Sequence, residues 1–242
     1  MEHIVENILN IKNKITNACI KANRNPNEVR LLLATKTVSP ENIKIAIASG
    51  ETLIGENKIQ ELKEKFEDLQ SISHEKHFIG HLQTNKIKDI LKYGVTCVQS
   101  LDRIELAEKL HQRLSVEKKQ LDVFIQVNTS AEESKFGVTP EQAIELIKSV
   151  AKFDTLKIKG LMTIGLFSAE KEKVRLCFKL LKNLKQEIIA QNIPNIDIQE
   201  LSMGMSGDLE IAIEEGATIV RVGTAIFGSR IYPDSYYWNE QA

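Results

Sequence analysis

Lys36 closes the apolar run VRLLLATK, residues 29–36. An ammonium at the end of so apolar a strand is costly unless it is paired or deprotonated. Desolvation lowers a lysine's pKa, and the neutral amine is then a nucleophile toward aldehydes. One reading is a Schiff-base lysine; the commoner one is a strand-end lysine that carries its ammonium back to solvent. A second set of residues could hold an anion. The chain runs Ser202-Met203-Gly204-Met205-Ser206-Gly207-Asp208 and later Arg221-Val222-Gly223-Thr224. Small residues let backbone N–H groups approach an anion, and hydroxyls add donors. Arg221 and Gly223 lie two apart, so on a strand they share a face. Asp208 would repel phosphate if it turned inward and is expected on the solvent side of the next helix start. Other apolar runs also close on polar residues: Gly55-Glu56-Asn57, His77 and His81, Gln126 and Asn128, Glu200 and Ser202. Each alone reads as a satisfied polar group at a strand end. Together with Lys36 they suggest a ligand that carries both an aldehyde and a phosphate. Pyridoxal 5′-phosphate (PLP) has that anatomy; a sugar-phosphate aldolase, which also forms a lysine Schiff base, is the other option.

These segments meet only if the fold gathers strand ends. The strands expected are 29–36, 52–57, 77–82, 96–101, 122–128, 157–163, 197–203 and 218–224. Near-continuous apolar strands suit a sheet covered on both faces. Amphipathic stretches lie between them. Ser39-Pro40-Glu41 and Thr139-Pro140-Glu141-Gln142 place a cap residue before proline at the first helical position, and Gln142 adds a capping box. Helices are expected from Asp102 to 115 and over 169–191. Ile4, Ile8, Ile11, Ile15 and Cys19 share one face of a further, leading helix. The count implies an α/β fold: a (β/α)8 TIM barrel with an extra N-terminal helix, one domain over 1–230 and a tail over 231–242. A doubly wound sheet would show the same alternation, but no G-x-G-x-x-G turn follows the first strand. In a barrel the site forms at the C-terminal strand ends, and phosphate commonly binds after strands seven and eight.

Composition excludes several functions. The 242 residues are 42% hydrophobic and 27% charged, which suits a folded soluble protein. A net charge of −1 gives no electrostatic reason to expect nucleic acid or an anionic membrane. The apolar runs are strand-sized, and the N-terminus MEHIVENILNIKNK is charged throughout, unlike a signal peptide. Cys19, Cys97 and Cys177 are widely spaced, so packing is expected of them and a metal site is not. A cytoplasmic location follows as the expectation.

Several stretches are specific enough to compare with a known family. They are ATKTVSPE with Lys36, IGENKIQE at 54–61, HFIGHLQTNK at 77–86, QSLDR at 99–103, VNTSAEESKFGV at 127–138, GLMTI at 160–164, LSMGMSGD at 201–208 and VRVGTAIFG at 220–228. On these the chain resembles the pyridoxal phosphate homeostasis proteins (YggS/PROSC family). The resemblance implies a barrel like the N-terminal domain of alanine racemase, with PLP bound covalently to Lys36. It implies a phosphate site at Ser202, Met203, Gly223 and Thr224, Arg221 facing the pyridine nitrogen, and Asn57 lining the pocket. A cation there would not keep that nitrogen protonated, which weakens the cofactor as an electron sink. Gly165-Leu166-Phe167 stands where many members have proline. The implied role is a PLP carrier or buffer in vitamin B6 homeostasis with no established turnover, its partners being PLP and PLP-dependent apo-enzymes. The alternative is an amino-acid racemase, which needs an acid/base group on each face of its substrate, commonly Lys and Tyr. Of Tyr93, Tyr232, Tyr236 and Tyr237, three fall in the tail. With no second domain expected to hold one in place, that reading is disfavoured and a monomer is expected.

Overall fold

The structure is a computed structural model that describes residues 2–228. The tail 231–242, with Tyr232, Tyr236 and Tyr237, lies outside the described residues. Parallel strands β1 (Arg30–Ala34), β2 (Leu53–Glu56), β3 (Glu75–Phe78), β4 (Cys97–Leu101), β5 (Leu121–Gln126), β6 (Leu156–Met162), β7 (Glu200–Ser202) and β8 (Ile219–Val222) form a closed barrel. Closure is made by β1 against β8, with Leu31 opposite Val220 and Leu33 opposite Val222. The expected (β/α)8 barrel is the observed one.

Helices cover the outside: α1 (Glu2–Lys21), α2 (Pro40–Ala48), α3 (Ile59–Leu69), α4 (Ile87–Lys92), α5 (Ile104–Glu117), α6 (Pro140–Val150), α7 (Lys171–Ala190), α8 (Leu209–Glu214) and α9 (Thr224–Phe227). The leading helix α1 packs across α8, α9 and α2, and so covers the closing seam. Its Ile4, Ile8, Ile11, Ile15 and Cys19 are buried as their spacing requires. Asn7 Nδ2 donates to Ile226 O at 3.0 Å, and Arg24 donates to Ile213 O at 2.7 Å, which ties the helix and its exit to α9 and α8.

Two apolar layers result. A large core lies between strands and helices. A smaller one fills the barrel itself, built from Leu32, Leu53, Cys97, Phe124, Met162 and Ile219. The residues facing inward therefore share parity with Leu32 on β1 and with Ile219 on β8.

Some boundaries differ from the sequence expectation. β1 ends at Ala34, which leaves Lys36 in the following turn and not on the strand. β7 has only 3 residues. α5 begins at Ile104, because Asp102 is engaged by Arg103 at 2.7 Å and does not cap the helix. Ser39 caps α2, accepting from Asn42 N–H at 3.4 Å. Thr139 makes no such side-chain bond; the N–H of Gln142 goes to its backbone carbonyl at 3.1 Å.

The packing of α1 gives a test. Ile8 is 2% exposed and Leu9 57% exposed. Ile8→Ala should cost about 2 to 5 kcal/mol of unfolding free energy, and Leu9→Ala under about 0.5 kcal/mol. Urea unfolding of both variants checks this; equal losses would mean α1 does not pack as described.

Candidate functional site

The polar residues gather where the strands end. Past β1, Thr35 N–H still donates to Gly55 O at 3.0 Å, so the extended path continues one residue. Half-buried Lys36 follows, and Thr37 at φ 63° turns the chain toward α2. The alternation that puts Leu32 inside the barrel gives Lys36 the same side. Directly beside this turn is the end of β8. A Cβ on Gly223 would lie 2.9 Å from Ala34 O and 3.4 Å from Ala34 Cβ, so only glycine lets the two strand ends lie so close. Beyond Gly223 the exposed Thr224 opens α9; the Ile226 and Phe227 N–H groups both go to Gly223 O at 2.9 Å, which leaves those of Thr224 and Ala225 without an acceptor in the helix. Lys36, Gly223 and Thr224 thus share one edge of the barrel mouth.

Arg221 lies one inward position below Gly223 and is 6% exposed. Its Nη1 donates to Ser202 Oγ at 2.8 Å and its Nη2 to Thr163 O at 2.8 Å. Arginine has no acceptor, so Ser202 must accept from it and give its own proton onward. The onward acceptor is Gln99 Oε1, 2.6 Å away. The Gln99 amide nitrogen then meets His77 Nδ1 at 2.7 Å, and that ring nitrogen must be unprotonated to accept. The result is a one-directional chain, Arg221 to Ser202 to Gln99 to His77, crossing the barrel beneath the mouth. Burial lowers the Arg221 pKa to about 10, opposed by the Asp208 carboxylate, so the guanidinium remains charged at neutral pH.

The remaining sequence candidates divide. The Ser202 hydroxyl gives its one proton to Gln99 and accepts from Arg221, and buried Met203 spends its N–H on Ile219 O at 3.1 Å. Both therefore support the site from within and do not present unused donors at the mouth. Asn57, half-buried, follows β2. Its backbone crosses so near the next loop that a Cβ on Gly80 would meet Asn57 O at 2.0 Å. His81 stacks on Phe136 with ring centroids 3.9 Å apart. The loop that carries Phe136 is fastened over the mouth: Gln126 Nε2 donates to Phe136 O at 3.0 Å, Asn128 Nδ2 to Glu132 O at 2.9 Å, and Lys135 Nζ to Gly165 O at 2.7 Å. Gly165 takes φ 72°, a turn open to glycine.

Asp208 is a correction. It does not face solvent: it is partly buried and its Oδ1 accepts from Met205 N–H at 2.5 Å. The carboxylate closes its own turn, and burial raises its pKa against the pull of that bond and of Arg221. Its charge is balanced by Arg221 and by the Met205 N–H.

The opposite, N-terminal end of the barrel holds a cavity of about 250 Å³ lined by Arg30, Glu75, Asp122 and Glu200 among others. It lies away from Lys36, and this end of such barrels serves stability. His77 Nε2 at 3.7 Å and Arg30 at 2.7 Å hold the Glu75 carboxyl down at about 2 against burial. A carboxylate lowered on folding stabilises above its ordinary range, and that contribution is lost as pH falls toward the folded value.

Two tests follow from this geometry. Gln99→Leu leaves the Ser202 proton and His77 Nδ1 without partners in a buried position and should cost about 2 to 3 kcal/mol in urea unfolding. A loss under about 0.5 kcal/mol would mean the chain across the barrel is not made. Glu75→Gln should be less stable than the parent at about pH 7, with the gap closing toward about pH 2; a pH-independent gap would remove Glu75 from the pH dependence.

A cradle that excludes a Cβ, first-turn donors with the Thr224 hydroxyl, a buried cation and an adjacent lysine fit an aldehyde-bearing phosphate ester. No group of His, Cys, Asp and Glu among the described residues could hold a metal, and no described helix is long and apolar enough to cross a membrane. The three cysteines are buried, as packing requires.

The family model for the alanine racemase N-terminal domain matches residues 2–231. A pyridoxal phosphate homeostasis protein of Aquifex aeolicus is 43% identical over 227 residues, which cover 94% of this chain and 98% of the relative. A crystal structure of an unknown protein from Bifidobacterium adolescentis is 37% identical, with a TM-score of 0.88 over 93% of this chain and 95% of that one. PipY of Synechococcus elongatus PCC7942, solved with PLP bound, is 26% identical, with a TM-score of 0.81 over 93% of this chain and 100% of that one. The closed eight-stranded barrel, the match along nearly its whole length and the identity to these relatives place this chain in the family of pyridoxal phosphate homeostasis proteins, built on the alanine racemase N-terminal domain.

Proposed function

We propose that this protein binds PLP as a Schiff base on Lys36 and serves in intracellular vitamin B6 homeostasis as a carrier or buffer, without turning over a substrate. The observation that carries the reading is the β1–β8 seam, where Ala34, two residues before Lys36, lies against Gly223, with buried Arg221 two residues earlier on β8. The relatives named for PLP homeostasis, and PipY with PLP bound, support the same ligand. On this reading the first turn of α9 and Thr224 hold the phosphate, Asn57 lines the ring's pocket, and Arg221 faces the pyridine nitrogen. Ser202 and Met203 hold Arg221 and the end of β7 in place below. When bound, PLP would supply an aldehyde that the Lys36 amine could capture reversibly with loss of water. Arg221 keeps N–H donors beyond the two given to Ser202 and Thr163, so it can donate a hydrogen bond to a ring nitrogen, but a guanidinium does not give its proton up and leaves that nitrogen unprotonated. The protein thereby keeps the aldehyde reactive toward amines while giving little electron withdrawal toward a substrate. It acts as a cytoplasmic monomer that supplies PLP-dependent apo-enzymes.

Borohydride reduction followed by mass spectrometry tests this. A pyridoxyl mass on the peptide containing Lys36, absent in Lys36→Ala, is expected; a colourless protein that takes up no added PLP would overturn the reading. Arg221→Ala should weaken PLP retention or shift its absorbance. Isotope exchange at the α-carbon of L-amino acids should not occur; Lys36-dependent exchange would establish a racemase-like activity instead.

A further inference from the structure

Behind the Lys36 turn, on the helix side of β1 and β2, three ionisable side chains are packed together. Lys65 on α3 is 6% exposed and Glu56 at the end of β2 is 1% exposed. Lys65 Nζ donates to Thr35 O at 2.8 Å, to Glu56 Oε1 at 2.9 Å and to Glu61 Oε2. Glu56 Oε1 also accepts from Thr35 Oγ1 at 2.6 Å. Glu61 accepts the Thr37 N–H, each carboxylate oxygen lying 3.0 Å away. The residues on both sides of Lys36 are therefore fastened to one cluster: Thr35 by its carbonyl and its hydroxyl, Thr37 by its amide. Thr37 is β-branched yet sits at φ 63°, a conformation such residues avoid unless the surroundings impose it.

Stability alone does not account for this arrangement. Lys65 occupies the apolar stripe of α3 between Leu62 and Leu69, both buried, where an aliphatic residue would fill the same space. Replacing a buried ion pair by apolar residues is often neutral or stabilising. The cluster even leaves Glu56 Oε2 buried without a hydrogen-bond partner. What a satisfied aliphatic core cannot do is hold three backbone and hydroxyl groups of residues 35–37 at fixed points.

We propose that Lys65 is a positioning residue for Lys36: together with Glu56 and Glu61 it locks the 35–37 turn and so sets how firmly PLP is retained. The inference rests on the reading of Lys36 as the PLP-bearing residue. Loss of PLP requires water to add at the imine carbon and the Lys36 amine to leave. An amine pinned beside the carbonyl closes the bond again before the ligand departs, whereas an amine on a loosened turn lets it go. In a carrier, this clamp governs the rate of release.

The test uses the full chain loaded with PLP. The loaded protein is diluted and the decay of the Lys36-linked PLP absorbance is followed, the same band is titrated with pH, and apo-protein melting is recorded. Lys65→Met should lose PLP about tenfold faster and shift the pH midpoint of the band. Lys65→Arg, which keeps the charge and donors, should restore part of both. Lower melting with an unchanged release rate and pH midpoint would make the cluster merely structural and overturn the inference. If Lys65→Met does not fold, Glu61→Leu decides: it keeps the Lys65–Glu56 pair but removes the acceptor of the Thr37 N–H. A smaller shift in the same direction is expected, and an unmoved midpoint and rate overturn the proposal. Failure of the parent protein to give a borohydride-fixed pyridoxyl group on Lys36 is a separate result: it removes the functional reading itself.

Discussion

The closure of β1 on β8 is the contact on which the site depends. Parallel strands can close only if the last lies against the first along its length, and here the pairing runs from Arg30–Ile219 to Leu33–Val222. Where the two strands end, Gly223 passes within a Cβ's reach of Ala34. That approach puts the lysine of the first strand–helix unit beside the helix start of the last. The two segments are separated by most of the chain, and no local structure could bring them together. α1 packs over the same seam, which explains a leading helix that has no strand before it.

Beneath that seam the barrel carries a buried charge. Arg221 is buried inside the barrel, and an unpaired guanidinium there would be costly. Hydrogen bonds to Ser202 and to the Thr163 carbonyl offset the cost, and Gln99 and His77 pass the polarity on to the far side. A fully satisfied chain of this kind fixes one arrangement of side chains, because turning any member leaves its neighbour unpartnered. The residues that fix the cation are thus spread over β3, β4, β7 and the turn just past β6, with the cation itself on β8.

The two ends of the barrel divide the work. At the N-terminal ends, charged residues pair with one another, Arg30 with Glu75 and Lys159 with Asp197, around a cavity remote from Lys36. At the C-terminal ends, polar groups are held by loops and buried clusters that aim at the mouth. The Lys65–Glu56–Glu61 cluster and the fastened loop from Gln126 to Val138 both restrict movement around Lys36. Restricting Lys36, with the Arg221 cation and not an acid nearby, is what the proposed cofactor-keeping role asks of this mouth.

Much of this was legible in the residues alone. Apolar runs of strand length alternating with amphipathic stretches determined the barrel, since each run must be covered on both faces. The stripe from Ile4 to Cys19 determined the leading helix. Lys36 stood out because a charge rarely ends so apolar a run, and Gly223 with Arg221 because parity on a strand needs no tertiary knowledge. The role of Lys65 was hidden among the many lysines of the chain, although its place between Leu62 and Leu69 was a signal. The chain from Arg221 to His77 joins four residues on four different strands, a pairing set only by the register of the closed barrel. Asp208 was misjudged because its bond to the Met205 N–H depends on how one turn folds. Sequence determined which residues face inward, because alternation and amphipathicity are local. Tertiary structure decided which of them meet, because closing the barrel sets distances between segments that no local rule connects.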